Sequence, residues 1–209
     1  MLAPSEEVGF LLRGLVIGFS IAAPVGPVGA LCIRRTIAYG RVIGFVSGLG
    51  AATADGIYGA VAAFGLTVIS GALLGASVPL RVVGGAFLVY LGIRTFLAMP
   101  RRSDDRPSVR GIFAAWASTF ALTLTNPATI LSFLGVFAGL GLASGAGGAS
   151  AIALVAGVFL GSAAWWLTLS LVVGNFRVRL DEPALRWVNR VSGAVIGLFG
   201  VAAFASLLL

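Results

Sequence analysis

The chain alternates between long apolar stretches and short joints rich in polar residues or glycine. Six stretches exceed the length of about 18 residues at which an apolar run reads as a membrane span. They cover roughly residues 10–31, 42–66, 79–99, 113–140, 150–174 and 187–209. Little sequence remains between them, so the pattern predicts one transmembrane domain over 1–209 and no separate soluble unit. The longest polar run, Pro100-Arg101-Arg102-Ser103-Asp104-Asp105-Arg106-Pro107, lies near the middle. It divides a first repeat of about 8–99 from a second of about 112–209, with a linker over about 100–111. The linker reads as a solvated loop that anchors topology; a regulatory contact is the alternative.

Two spans are interrupted. The first holds Ser20-Ile21-Ala22-Ala23-Pro24-Val25-Gly26-Pro27-Val28-Gly29. Pro24 and Pro27 donate no backbone hydrogen bond and clash with the preceding turn, while Gly26 and Gly29 permit close approach. In hydrocarbon, backbone groups freed in this way must be buried in protein or face a watery cavity, so the break predicts a site. A second break, Thr125-Asn126-Pro127, places Pro127 100 positions after Pro27. Further matches keep the same order: Gly48-Leu49-Gly50 with Phe159-Leu160-Gly161, and Gly85 and Gly92 with Gly193 and Gly200. Three spans per half force the second half into the membrane upside down. Inverted repeats with paired broken helices are the pattern of secondary transporters. The expected fold is an all-α integral membrane protein. It has six transmembrane helices in two inverted three-helix repeats, with helices 1 and 4 broken. Glycines at spacings of four (Gly40, Gly44 and Gly48; Gly135 and Gly139; Gly157 and Gly161) predict faces of close helix packing.

Composition fits this picture. The 209 residues are 59% hydrophobic and 10% charged, with a mean hydropathy of +1.07. The net charge of +7 comes from 14 basic residues, all arginine. Twelve of them fall in or beside the loops after spans 1, 3 and 5 (Arg34, Arg35, Arg41, Arg94, Arg101, Arg102, Arg106, Arg110, Arg177, Arg179, Arg186 and Arg190), leaving only Arg13 and Arg81 for the other side. The positive-inside rule makes the crowded side cytoplasmic and puts both termini outside. Arginine at span ends argues against a nucleic-acid partner; the bilayer is the expected one. A homo-oligomer is left open. One cysteine, Cys32, gives no intrachain disulfide, and the absence of histidine removes imidazole metal sites and Ser-His catalysis. No cofactor and no metal are expected. Glu6 and Glu7 replace a basic n-region, which predicts no cleaved signal peptide.

Among candidate chemical residues Asp55 comes first, as the only acid well inside a span. It lies about 20 Å along span 2 at 1.5 Å per residue. A carboxylate at that depth is costly and marks function by default. It could bind a substrate ammonium, carry a proton, or alternate between the two. The bland alternative is a structural Asp held by Thr53, Tyr58 or a broken-helix amide. A helix restarting after Pro27 would present the amides of Val28, Gly29 and Ala30, and one restarting after Pro127 those of Ala128, Thr129 and Ile130. Such N-termini hold anions such as a carboxylate. Asn126 suits an N-cap or a ligand, and Thr123, Thr125, Thr129 and Ser132 add hydroxyls. Trp166 falls opposite Asp55 in the repeat alignment, and it or Trp165 could cover an ammonium. Tyr58, one turn from Asp55, is within reach of it. Arg34 and Arg35 anchor topology or attract anionic groups of substrate; Cys32 reads as a packing residue. The substrate-binding set is therefore Pro24, Gly26, Pro27, Val28, Gly29, Asp55, Tyr58, Asn126, Pro127, Thr129 and Trp166.

Pro24-Val25-Gly26-Pro27, Gly40-Arg41, Gly44 and the run from Gly48 through Tyr58 resemble the lysine exporter (LysE) superfamily, in particular its amino-acid exporters. Thr125-Asn126-Pro127 and Gly157-Val158-Phe159-Leu160-Gly161 resemble its second half, and the likeness covers essentially the whole chain. Many members carry Pro-Gly-Pro in the first span, and this chain has one residue inserted. The resemblance implies an exporter of amino acids or related metabolites in a bacterial inner membrane, coupled to the proton gradient. Thiol-redox branches need a cysteine pair and nickel or cobalt branches use histidine-rich segments; this chain has neither. With Asp55 as the single buried acid, a neutral amino acid is favoured over a cationic one. A metal-cation exporter or a passive small-solute facilitator is the alternative. A membrane enzyme would require histidine, metal ligands or a second buried acid.

Overall fold

The computed structural model describes residues 4–24, 26–64, 77–99, 108–126, 129, 132–133, 148–176, 182–205 and 207. Among these residues the chain is entirely helical, with seven α-helices and no strand. They are α1 (Pro4–Ala22), α2 (Pro27–Tyr39), α3 (Arg41–Ala63), α4 (Ser77–Phe96), α5 (Val109–Leu124), α6 (Gly148–Phe176) and α7 (Glu182–Ala205).

The first sequence break is a real joint. Gly26 is extended (φ −111°, ψ −161°) and Pro27 opens α2, the position where its missing N–H and fixed φ cost nothing. The chain turns by 82° between α1 and α2, so the first apolar stretch is two helices rather than one kinked rod. A second joint was not foreseen. Gly40, between α2 and α3, has φ 92°, a conformation that side chains with a Cβ rarely adopt. Further along, Ser108 caps α5, its Oγ accepting from the Gly111 amide at 3.1 Å. α5 ends at Leu124 beside the second predicted break. Pro127, most of the second half of the fourth predicted span, Gly135, Gly139 and the charged part of the linker lie outside the described residues.

Of the described helices, α6 and α7 are each long and apolar enough to cross a membrane, and α1 with α2 qualifies as one bent span. The predicted spans 2, 3, 5 and 6 correspond to α3, α4, α6 and α7, with ends shifted by a few residues. α3 relies on Gly and Ala around a buried Asp55 rather than on bulky apolar side chains.

The glycines bring helices into backbone contact. Gly14 of α1 meets Leu154, Gly157 and Val158 of α6, and Gly161 meets Leu15. This pairing is parallel. Gly85 and Gly92 of α4 lie against Gly200 and Gly193 of α7, an antiparallel seam made by the four glycines matched between the halves. α3 runs antiparallel to α6, with Gly48 on Trp166 and Gly59 on Val158, and parallel to α5, with Gly50 on Trp116 and Phe120. Hence α1, α4 and α6 point one way and α3, α5 and α7 the other. Each of the arginines 34, 35, 41, 94, 110, 186 and 190 then falls at one end of the bundle, and Arg13 near the opposite end. The core between the helices is built on Leu31, Ala52, Leu122, Trp166 and Ile196.

In such a seam, a methyl group has nowhere to go. A Cβ at Gly157 would strike the Leu11 carbonyl oxygen and the Leu15 backbone nitrogen, whereas one at Gly197 would meet nothing within 4 Å. Gly157→Ala should destabilise the purified protein by about 1–3 kcal/mol through overpacking. Gly197→Ala, whose added methyl meets open space, should stay within about 0.5 kcal/mol. Unfolding midpoints in detergent measure both, and equal midpoints would refute backbone contact between α1 and α6.

Candidate functional site

α2 carries a cavity at each end. Its N-terminal turn faces a pocket of about 210 Å³, lined by Ile21, Ala22, Pro24, Gly26, Pro27, Val28, Gly29, Ala51, Asp55, Thr123, Asn126, Thr129, Ser132, Trp166 and Phe199. The first break, Asp55 of α3, Trp166 of α6 and the end of α5 are thereby gathered around one space. Nine of the eleven sequence-predicted binding residues line it. The other two are Tyr58, which stands behind the wall, and Pro127, which lies outside the described residues.

Asp55 is 3% exposed. Its Oδ2 accepts a hydrogen bond of 2.7 Å from Ser162 Oγ, and that oxygen accepts from Trp166 Nε1 at 3.2 Å. The three residues form a chain from α6 to α3. Ser162 was missed in the sequence, where it sits in a Gly-Ser-Ala-Ala run that reads as packing. The available signal was its position one helical turn before Trp166, on the same face. The partners considered for Asp55 are engaged elsewhere. Thr53 Oγ1 donates to the Leu49 carbonyl (2.7 Å) and accepts from Trp116 Nε1 (3.3 Å). Tyr58 Oη donates to the Leu124 carbonyl at 2.6 Å, satisfying one of the acceptors a helix leaves open at its C-terminus. Tyr58 therefore secures the end of α5.

The N-terminus of α2 has no side-chain cap. The amide of Ala30 donates to the Gly26 carbonyl at 3.0 Å and is not available as expected. Val28 and Gly29, within the first turn where amides lack intrahelical acceptors, line the cavity. At the second break the Thr129 amide donates to the Asn126 carbonyl at 3.1 Å, so it too is engaged. Thr123 Oγ1 donates to the Thr119 carbonyl and Thr125 Oγ1 to that of Ala121, each bonding back along α5. Trp165 packs edge-on against Phe19, with ring centroids 5.3 Å apart, leaving Trp166 as the tryptophan at the site. Cys32 is fully buried in the core.

The second cavity, of about 910 Å³, opens at the arginine end, against the last turns of α2. Arg34, Arg35 and Arg94 line it with the end of α4 and the starts of α5 and α7. Leu31, fully buried, lines this cavity and packs in the core beside Val28 and Trp166. Along α2, Gly29 lines the first cavity and Leu31 the second.

A broken helix whose uncapped end meets a buried carboxylate, between cavities at two depths of an apolar bundle, belongs to the architecture of membrane translocators. Residues 19–206 match the family of LysE type translocators, and the chain belongs to that family. Family members are transporters, which move solutes rather than transform them. The chain is 33% identical over 201 residues to "Putative amino acid efflux protein YcgF" of Bacillus subtilis (strain 168), covering 92% of this chain and 94% of that one. It is 31% identical over 176 residues to "Uncharacterized membrane protein YahN" of Escherichia coli (strain K12), covering 81% and 77%. "Uncharacterized membrane protein YrhP" of Bacillus subtilis (strain 168) is 23% identical over 182 residues, covering 82% and 87%. No solved structure matches.

The Ser162 hydroxyl is the one hydrogen-bond donor to Asp55 among the described residues. Ser162→Ala should destabilise the protein by about 1–3 kcal/mol, the cost of leaving a buried polar group unpaired. Ser162→Thr, which keeps the hydroxyl, should recover part of it. An unfolding midpoint for Ser162→Ala equal to wild type would show that the pair carries no stability.

Proposed function

We propose that this protein exports small amino acids or related metabolites across the bacterial inner membrane, in exchange for protons. The observation that carries the reading is the single cavity shared by Asp55 and the uncapped N-terminus of α2. One wall offers a carboxylate and the other the positive end of a helix. That arrangement complements a zwitterion, with the substrate ammonium near Asp55 and Trp166 and its carboxylate at the Val28 and Gly29 amides. At about 210 Å³ the cavity lies below the range of about 300–1,000 Å³ typical of drug-sized ligands, which suits a small metabolite. The name of the B. subtilis relative, an amino acid efflux protein, supports the same substrate class.

The helix pairing supports two inverted repeats. Under an exchange of halves, the α1–α6 pair corresponds to the α5–α3 pair, while α4–α7 and α3–α6 map onto themselves. All four pairs are present. In this reading the whole chain is one transporter domain of six spans, with the arginine end cytoplasmic by the positive-inside rule and both termini outside. Alternating access arises as the repeats rock about the Asp55 cavity. Ser162 holds Asp55 between ligand states, and an incoming ammonium competes for the same carboxylate.

Reconstituted vesicles test this. Wild type should release a preloaded neutral amino acid saturably and faster with an opposing proton gradient. Asp55→Asn, with normal expression and an unchanged unfolding profile, should lose at least about 90% of that rate, the effect of deleting a charge-assisted contact worth about 1.5–3 kcal/mol. Full activity in Asp55→Asn would remove Asp55 from the mechanism. Transport indifferent to collapse of the gradient would make the protein a passive facilitator.

A further inference from the structure

The cavity at the arginine end has an unusual charge arrangement. Arg35 donates to Ser47 Oγ (3.1 Å), the Ala115 carbonyl (2.9 Å), Thr119 Oγ1 (2.9 Å) and Ser118 Oγ (2.8 Å). All four acceptors are neutral. Arg34 donates from Nε to Asn189 Oδ1 at 3.0 Å, and Asn189 is held in turn by the Ala98 carbonyl. Arg94 donates from Nη1 to Tyr90 Oη at 3.3 Å. None of the three guanidiniums forms an ion pair among the described residues, and none of the described residues lining the cavity is acidic. The terminal nitrogens of Arg34 and Nη2 of Arg94 have no protein acceptor among those residues. Thr95, 1% exposed and lining the same cavity, holds a buried hydroxyl with no hydrogen-bond partner among the described residues. A buried polar group left open in a native fold calls for an explanation such as a missing ligand.

Three cations around one open cavity repel each other, and an entering anion relieves that repulsion while filling the open donors. Guanidinium also binds carboxylates in a forked, two-bond geometry. We infer that this cavity is a carboxylate-recognition vestibule, in which Arg34 and Arg94, assisted by Thr95, take the substrate's carboxylate before it passes α2 to Asp55. Arg35, whose Nη1 and Nη2 already donate to four neutral acceptors, supplies field and braces α2 against α3 and α5. The vestibule rests on the exporter reading above and adds to it a selectivity step: a small molecule without a carboxylate gains no hold at the vestibule and is transported only at higher concentration, even where its ammonium suits the Asp55 cavity.

Efflux kinetics separate the two steps. The substrates are the best-transported amino acid and its carboxamide, which keeps the ammonium and lacks the anion. In Arg94→Gln and Arg34→Gln the half-saturating internal concentration of the amino acid should rise about tenfold or more, the loss of one hydrogen bond to a charged group. That of the carboxamide should not change, and Arg34→Lys should recover part of the loss for the acid. Inorganic phosphate at millimolar concentration inside the vesicles should compete far more weakly than a second carboxylate. Unchanged half-saturation in both glutamine variants, alongside normal wild-type efflux, would overturn the vestibule and leave the exporter reading standing. Phosphate competing as well as the carboxylate would overturn carboxylate recognition in favour of a phosphate site. A wild-type protein that moves no amino acid under any gradient would overturn both readings.

Discussion

In a bilayer, a backbone polar group without a partner has no water to fall back on, and the organisation of this protein follows from where that rule is strained. The chain breaks its first apolar stretch with Gly26 and Pro27, and the resulting helix end must be accommodated inside the bundle. It is set against a cavity whose other walls carry Asp55, Trp166 and the end of α5. The end of α5 is itself completed from another helix, by the Tyr58 hydroxyl on the Leu124 carbonyl. Polar groups too expensive to leave in lipid are thus concentrated at one depth, where they recognise each other or a ligand.

Seam packing makes that concentration possible. Glycines at Gly14, Gly157 and Gly161 let α1 and α6 meet backbone to backbone, and those at Gly85, Gly92, Gly193 and Gly200 do the same for α4 and α7. With lipid as solvent, apolar burial offers helices little reason to associate, so close contact between small residues supplies the cohesion. The polar interior is then spanned by hydroxyl-rich contacts, from Ser162 to Asp55 and from Arg35 to Ser47, Ser118 and Thr119.

Much of the site could be read in the sequence because proline, glycine and a buried acid are loud signals in an apolar background. Pro24, Gly26 to Gly29, Asp55, Asn126 and Trp166 were all recognisable, and they meet around one cavity. What escaped notice is instructive. Ser162 looks like any small packing residue, and its role depends on which helix faces α3, a tertiary fact. Tyr58 was assigned to Asp55 by helical spacing, yet a long side chain one turn away reached a carbonyl on another helix. Arg35 read as an end-of-span arginine, although its guanidinium turns inward to four neutral acceptors. Gly40 looked like part of a packing stripe, whereas its φ of 92° makes it a joint.

That joint has a mechanical meaning. α2 is a 13-residue rod with Gly26 before it and Gly40 after it, while α1 with α6, and α4 with α7, are locked by interpenetrating backbones that cannot slide without collision. Both close pairs join one half of the chain to the other, and the short rod between the cavities has a glycine joint at each end. In the proposed rocking of the repeats, such a rod would tilt with its neighbours, so that widening the space at one tip narrows the space at the other.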